Sequence, residues 1–390
     1  MVPRNPYLNL PERLLPLLFM RRTISLVTLS SRAMSSFSAP LRVAVLAPPD
    51  HPALAAMPAD LDPARVTLSV CADTAALAAL APRAVLWVPP APCGALLDAW
   101  PGIAPGVEWV HAFSAGVDGL APFFARLSAD ADAAGAGARA GAGAGGAVAP
   151  PPRLSNGRGA FSDSLAEYVV WAMLHHNKRA SACLLNQKSR QWDKFVMPVV
   201  RGKTVGFVGF GHIAQTCVAP LRALGCRLVA LRARAGDAAG EALVDETLYS
   251  SGPGGAAAKA RLFAEADFVV CTLPATPATA RFCDAAAFAA MKPSGVFISL
   301  GRGQAVDEAA LASALASARI AGAACDVFET EPLPPSSPLW DAPNLLLTAH
   351  NADFTDDYFE HGWRVWRANL DAFLAGAAEL PTPCDARRGY

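Results

Sequence analysis

The chain has 390 residues, enough for two domains of ordinary size, and 53% of them are apolar. Lysine plus arginine (33) balance aspartate plus glutamate (33), so no basic surface points to nucleic acid. No apolar run approaches the roughly 20 residues of a membrane helix. Nine cysteines occur without C-x-x-C pairs or histidine partners, which suggests neither a metal site nor a disulfide framework. Cys226, Cys271 and Cys325 sit in apolar stretches and read as small buried thiols.

The first 38 residues differ from the rest. They carry Arg4, Arg13, Arg21, Arg22 and Arg32 against the single acid Glu12, with Ser and Thr clustered from Thr23 to Ser38. Arg-rich, hydroxyl-rich and acid-poor composition predicts an organellar transit peptide, mitochondrial or plastid. Its removal would take away five positive charges and one negative and leave the remainder near −4. A start at Met34 would delete the segment and leave a cytoplasmic protein.

From Leu41 the pattern is α/β. Strand-like runs at Leu41–Leu46, Val66–Val70, Ala84–Val88 and Val107–Ala112 alternate with Ala/Leu-rich helical pieces. That alternation predicts a parallel sheet covered on both faces, here over 41–165. After the fourth strand comes the loop Phe113-Ser114-Ala115-Gly116-Val117-Asp118, at the end of a sheet where ligands are held. Its backbone N–H groups around Ala115 and Gly116 can receive a carboxylate. Residues 128–152, rich in Ala, Gly and Pro, read as a disordered insertion. Beyond it, Phe161, Leu165, Val169 and Met173 repeat at i+4, and Ser164 with Glu167 fits a capping box, so a long helix is expected. His175 and His176 on that helix have no partner pattern and read as surface or packing histidines.

Lys203–Gln215, KTVGFVGFGHIAQ, is the most informative stretch. An apolar run, Thr204–Val208, meets Gly209-Phe210-Gly211-His212-Ile213-Ala214, and a helical pattern follows through Cys217, Val218, Leu221 and Leu224 to Gly225. A second strand, Arg227–Leu231, comes next. Strand, glycine turn, helix and strand are the context that gives G-x-G-x-x-G/A its meaning as a dinucleotide cradle. Gly209 permits the tight turn, Gly211 admits a pyrophosphate, and the helix N-terminus faces the phosphates. By contrast, Gly141-Ala142-Gly143-Ala144-Gly145-Gly146 satisfies the same spacing with no strand before it, and reads as linker.

Downstream, 236–260 is rich in Gly and Ala and is expected to form a lengthened loop before a helix near Ala258–Ala264. Strands are expected at Asp267–Leu273, Gly295–Leu300, Ala321–Val327 and Leu345–Thr348. Helices are expected near Ala285–Met291, Glu308–Ser317 and Asp356–Leu374. Together 166–352 predicts a doubly wound nucleotide-binding domain. Arg302, Glu331 and His350 then fall at strand ends on one side of the sheet, where the crevice lies. Hydride transfer to a 2-oxo acid suits them. His350 can protonate the carbonyl oxygen, and Glu331 beside it would favour the imidazolium. Arg302 can fork onto the substrate carboxylate and polarise the carbonyl.

From Leu41 onward the chain resembles the D-isomer-specific 2-hydroxyacid dehydrogenases. The matching stretches are SAGVD, SLAEYVV, KTVGFVGFGHIAQ, CTLPATP, MKPSGVFISLGRGQAVDEAAL, GAACDVFETEPLP and NLLLTAH. The resemblance implies catalytic roles for Arg302, Glu331 and His350. It implies cofactor contacts from Leu273 and Pro274 in CTLPATP and from Asp326, which matches a position beside the nicotinamide carboxamide. It also implies a flavodoxin-like substrate domain completed by the C-terminal segment (355–390), and a homodimer built partly by the Phe161–His176 helix.

The chain departs from the family pattern at the end of its second nucleotide-binding strand. NAD-using members carry an acid there; this chain reads VALRAR, with Arg232 in the slot and Arg234 just beyond. Guanidinium pairs with a 2′-phosphate that an acid would repel. One or two charge-assisted bonds would favour NADP roughly ten- to a thousandfold, with NAD as the alternative. Asn351 after the histidine also departs and bears on substrate choice. The expected activity is NADPH-linked reduction of a small 2-oxo acid such as glyoxylate, hydroxypyruvate or pyruvate. The alternatives are a catalytically silent NAD(P)-sensing protein on this fold, or a formate- or phosphite-type dehydrogenase.

Overall fold

A computed structural model describes residues 39–139 and 150–388. The expected transit peptide, Met34 and the 141–146 glycine run lie outside the described residues. The described residues form one compact unit, and within it the strands make two sheets, both wholly parallel.

The first sheet is built from β1 (Leu41–Leu46), β2 (Val66–Cys71), β3 (Ala84–Trp87), β4 (Trp109–Ala112) and β5 (Arg153–Asn156). Its order is β2-β1-β3-β4-β5, the flavodoxin-like order. The crossovers carry α1 (Thr74–Leu80), α2 (Cys93–Ile103) and α3 (Ala121–Arg139). β1 and β3 are apolar nearly throughout because both faces are covered. Two corrections apply here. β5, RLSN, is too short and polar to declare itself in the sequence. The expected disordered insertion is helical as far as Arg139, consistent with the high helix propensity of alanine.

Next come α4 (Ser162–Asn177) and α5 (Ala180–Ser189). The capping box on α4 does not form. Phe161 is the N-cap, and the Ser164 hydroxyl instead donates to the Ala352 carbonyl (2.6 Å), tying α4 to the segment after His350. His175 and His176 are packing residues: His175 Nε2 meets Ser181 Oγ at 3.1 Å, and His176 Nε2 meets the Ala323 carbonyl at 3.0 Å.

The second sheet contains β6 (Thr204–Val208), β7 (Arg227–Arg232), β8 (Glu246–Tyr249), β9 (Phe268–Cys271), β10 (Val296–Ser299), β11 (Gly322–Cys325) and β12 (Leu345–Leu347). Its order is β12-β11-β10-β9-β6-β7-β8, the doubly wound nucleotide-binding arrangement, with the order reversing between β6 and β9. The intervening helices are α6 (His212–Thr216), α7 (Val218–Ala223), α8 (Ala238–Glu241), α9 (Gly255–Glu265), α10 (Ala285–Ala290) and α11 (Glu308–Ala316). One face of the sheet packs on α4, α6 and α7, the other on α9, α10 and α11.

Two details of this half differ from expectation. The helix after the glycine turn divides into α6 and α7 at Cys217, because Pro220 has no N–H to continue the ladder. The stretch expected to be a lengthened loop holds α8 and β8, a four-residue edge strand with no apolar alternation.

The last helix, α12 (Tyr358–Leu374), returns to the first sheet. Trp363, Trp366, Leu370 and Phe373 pack with Leu41, Val43 and Trp109. Trp109 stacks on Phe373 at 5.3 Å, and Trp363 donates its indole N–H to the Ala53 carbonyl (2.7 Å). Cys226, Cys271 and Cys325 are buried, as expected. Among the described residues no helix is long and apolar enough to cross a membrane, and no cluster could hold a metal ion.

Candidate active site

A cleft of about 1900 Å3 runs along the carboxyl ends of the second sheet and is closed on its far side by loops of the first. Its nucleotide end is the turn after β6. Gly209 has φ +85°, a conformation other residues adopt only at a cost. Its N–H donates to the Leu231 carbonyl (3.0 Å), and its carbonyl accepts from Thr272 Oγ1 (3.0 Å). Phe210 packs on Phe207 below the turn, and Ala214 is fully buried. Gly211 is the extended N-cap of α6 with no side-chain cap, and open space surrounds it. A pyrophosphate therefore fits: the orphan N–H groups are aimed outward and no side chain blocks them. His212 and Ile213 begin α6 and line the cleft. His212 Nδ1 lies 2.8 Å from Ser162 Oγ; burial and then the Arg158 charge hold its pKa below the usual range, against Asp163.

Arg232 ends β7, and Arg234 follows on the cleft wall. Arg232 is not free. Its Nη1 donates to Asp237 Oδ2 at 3.0 Å, and Asp237 also caps α8 by accepting from the Gly240 N–H (2.9 Å). That backbone bond first, then Arg232, holds the Asp237 carboxyl below its ordinary pKa. Arg234 is exposed and has no ion-pair partner among the described residues. Leu273 and Pro274 lie just beyond β9 on the cleft floor.

At the opposite end, the three expected groups lie together. Glu331 accepts from the Phe328 N–H through Oε1 (2.8 Å) and meets His350 Nδ1 through Oε2 at 2.6 Å. With Nδ1 engaged, Nε2 is the His350 ring nitrogen left for a ligand. Arg302 follows β10. Its Nε donates to Asp118 Oδ2 at 2.8 Å and its Nη1 to the Gly301 carbonyl at 3.0 Å. Its Nη2 lies so close to Gly116 that a Cβ there would have to displace the guanidinium. The Ala115 carbonyl accepts from Asn156 Nδ2 (2.8 Å) and the Gly116 carbonyl from Ser114 Oγ (2.6 Å). The N–H groups of Ala115 and Gly116 have no partner among the described residues.

Asp326 is 1% exposed and does more local work than its sequence position suggested. Thr348 Oγ1 donates to its Oδ1 (2.6 Å), the N–H groups of Asn351 and Ala352 donate to the same carboxylate, and its own carbonyl accepts from the His350 N–H (2.8 Å). This brace holds His350 at φ +49°. Asp118, Asp237 and Asp353 line the same cleft and were not singled out from the sequence. Asp118 was the one with a signal, as the acid that closes the matched stretch SAGVD; Asp353 lies beyond the matched NLLLTAH.

A doubly wound sheet with this turn, facing loops of a second parallel sheet across a cleft, is the architecture of a dinucleotide-dependent dehydrogenase. The family model described as "D-isomer specific 2-hydroxyacid dehydrogenase, NAD binding domain" matches residues 170–352. An uncharacterized protein of Corynebacterium melassecola is 31% identical over 247 residues, covering 61% of this chain and 76% of that protein. A glyoxylate/hydroxypyruvate reductase B of Pectobacterium carotovorum is 32% identical over 211 residues, covering 50% and 60%. The chain spans only about a third (33%) of the length of a D-3-phosphoglycerate dehydrogenase that it also matches. Among solved structures, an NADPH-dependent glyoxylate/hydroxypyruvate reductase of Sinorhizobium meliloti, in complex with NADP and sulfate, superposes with a TM-score of 0.67. Identity there is 24%, covering 90% of this chain and 100% of that one, a likeness of fold. The chain belongs to the D-isomer specific 2-hydroxyacid dehydrogenase family, and so to the NAD(P)-linked oxidoreductases.

Proposed function

We propose that this protein reduces a small 2-oxo acid to the D-2-hydroxy acid with NADPH, glyoxylate and hydroxypyruvate being the first candidates. The observation that carries this is the contact of 2.6 Å between His350 and Glu331 in the same cleft as Arg302. In this mechanism the bound nicotinamide dinucleotide supplies the hydride. Arg302 Nη2 and the free N–H groups of Ala115 and Gly116 receive the substrate carboxylate. His350, with Nδ1 held by Glu331, delivers a proton from Nε2 to the carbonyl oxygen. Gly209, Phe210, Gly211, His212 and Ile213 cradle the dinucleotide, with Leu273, Pro274 and Asp326 along its nicotinamide half. Arg232 and Arg234 would hold a 2′-phosphate, Arg232 giving up its bond to Asp237.

The support for NADPH is the absence of an acid at the end of β7 and the presence there of two guanidinium groups. The first sheet with α12 is assigned as the substrate domain (41–165 with 355–390), and 166–352 as the cofactor domain. A homodimer is part of the same proposal. Its seat is the apolar surface of α4, α5 and the following loop, where Trp171, Leu184, Leu185, Trp192, Val196 and Val199 are exposed.

Nicotinamide absorbance followed with glyoxylate, hydroxypyruvate, pyruvate and a bulkier oxo acid tests the activity. His350→Ala should abolish turnover while NADPH still binds; a variant that keeps most of its rate overturns the assignment. Tight cofactor binding without turnover of any oxo acid would favour the silent sensor. Arg232→Asp should erase the NADPH preference, and an unchanged preference would remove the arginine argument.

A further inference from the structure

Asp353 is an acid at the reacting end of the cleft that no step above uses. It follows the braced segment 350–352 and lines the cleft with His350, Arg302 and Tyr358. No hydrogen bond joins its carboxyl to another side chain among the described residues. Burial raises the carboxyl above its usual range; the charges of His350 and Arg302 act on it in the opposite sense, and that of Asp326 adds to the rise. The carboxyl thus shares this end of the cleft with both groups assigned to the substrate. On its other side the wall is aromatic: Tyr358 stacks on Phe161 at 4.1 Å, Phe354 and Phe359 flank Tyr358 at 5.3 Å each, and His51 meets Phe359 edge-on at 5.7 Å, with Arg158 and Arg388 elsewhere on the cleft lining. Burial, and then the Asp353 charge, push the Tyr358 hydroxyl above its usual range, so it stays a neutral donor.

We infer that Asp353 is a specificity-determining residue: its carboxylate rejects 2-oxo acids with a second anionic group beyond the ketone and favours a neutral C3 substituent that donates a hydrogen bond. This rests on the reading of the cleft as an oxo-acid site. The first carboxylate of the substrate has Arg302 and the free N–H groups at Ala115 and Gly116. A second carboxylate or a phosphate would find an acid and an aromatic wall instead. Like charges that share a half-buried cleft repel, at a cost of about tenfold in affinity. A primary hydroxyl, by contrast, can donate to Asp353. The substrate class is therefore hydroxypyruvate-like, and a phosphorylated 3-hydroxy-2-oxo acid is disfavoured.

The test compares the full chain with Asp353→Asn and Asp353→Ala. NADPH-linked rates are measured with hydroxypyruvate, pyruvate, oxaloacetate and phosphohydroxypyruvate. Calorimetric binding of D-glycerate and D-malate to the NADP-loaded protein is measured alongside. The unaltered chain should favour hydroxypyruvate. Both variants should raise kcat/KM for oxaloacetate and phosphohydroxypyruvate about tenfold or more relative to pyruvate, through KM, and should tighten D-malate relative to D-glycerate. Unchanged ratios in both variants, or an unaltered chain that already prefers the doubly charged acids, would overturn the inference. If no oxo acid is turned over but D-malate still tightens in the variants, the activity falls and the selectivity of the cleft stands.

Discussion

Arg302 and Asp118 are joined across the cleft by a bond of 2.8 Å, one residue following a strand of the second sheet and the other in a loop of the first. The bond takes the arginine's Nε and fixes the plane of the guanidinium, which leaves Nη2 directed at Gly116. Asp118 thereby aims the group that receives the substrate. Removing it as Asp118→Ala should raise KM for the oxo acid about three- to tenfold, since Asp118 is half exposed and the pair is partly screened. NADPH affinity should not change. A KM within twofold of the parent would show that Arg302 needs no such guide.

Glu331 holds His350 through one oxygen while the other is anchored by the Phe328 N–H. Glu331→Gln keeps the anchor but removes the charge opposite Nδ1. It should lower kcat about a hundredfold and leave KM within severalfold, the pattern of a lost transition-state contribution. Single-turnover rates check this, and a kcat within threefold of the parent would contradict the pairing.

Asp237 competes with a 2′-phosphate for Arg232 (Nη1–Oδ2, 3.0 Å). Freeing the arginine by Asp237→Ala should raise the NADPH-to-NADH ratio of kcat/KM about threefold or more. The helix α8 loses its cap at the same time, at about 1 kcal/mol. A ratio that falls would mean that Asp237 itself serves the cofactor.

His111 is fully buried beside β5, with Nδ1 2.7 Å from Ser155 Oγ, and burial lowers its pKa to about 3. The folded protein keeps it neutral, whereas the unfolded chain protonates it near pH 6.5. The unfolded state therefore binds more protons between those limits. The contribution is fully present above about pH 6.5 and is lost as pH falls toward about 3. Between pH 7 and pH 5 this residue alone should cost about 2 kcal/mol of stability. His176, lowered to about 4 by burial, adds in the same direction. Denaturant unfolding at both pH values, with and without His111→Leu, reads the difference. A parent and variant with equal pH slopes would refute it.

The sequence announced elements wherever composition and periodicity agreed. The glycine turn, the runs at β1, β3, β6 and β10, and helices α4 and α12 were all legible because their apolar residues recur at the spacing their burial requires. β5 and β8 were not, since four polar or mixed residues at a sheet edge carry no alternation. α5 escaped for the complementary reason: it buries nothing and so has no apolar stripe to read. Ser164 shows how a local rule loses to a distant partner, its hydroxyl being taken by Ala352 across 188 positions of sequence. In the site, Arg302, Glu331 and His350 could be placed because each follows a strand. Asp118, Asp237 and Asp353 required side-chain directions that spacing does not encode.

His350 keeps a backbone shape that most amino acids avoid, clamped from beneath by the submerged carboxylate of Asp326. A segment pinned in that way has no slack to follow an awkwardly shaped ligand. New preferences in this scaffold should therefore arise around the pinned segment, at Asp353 just beyond it and on the opposing rim among the loops after β3 and β4, while the imidazole stays where it is.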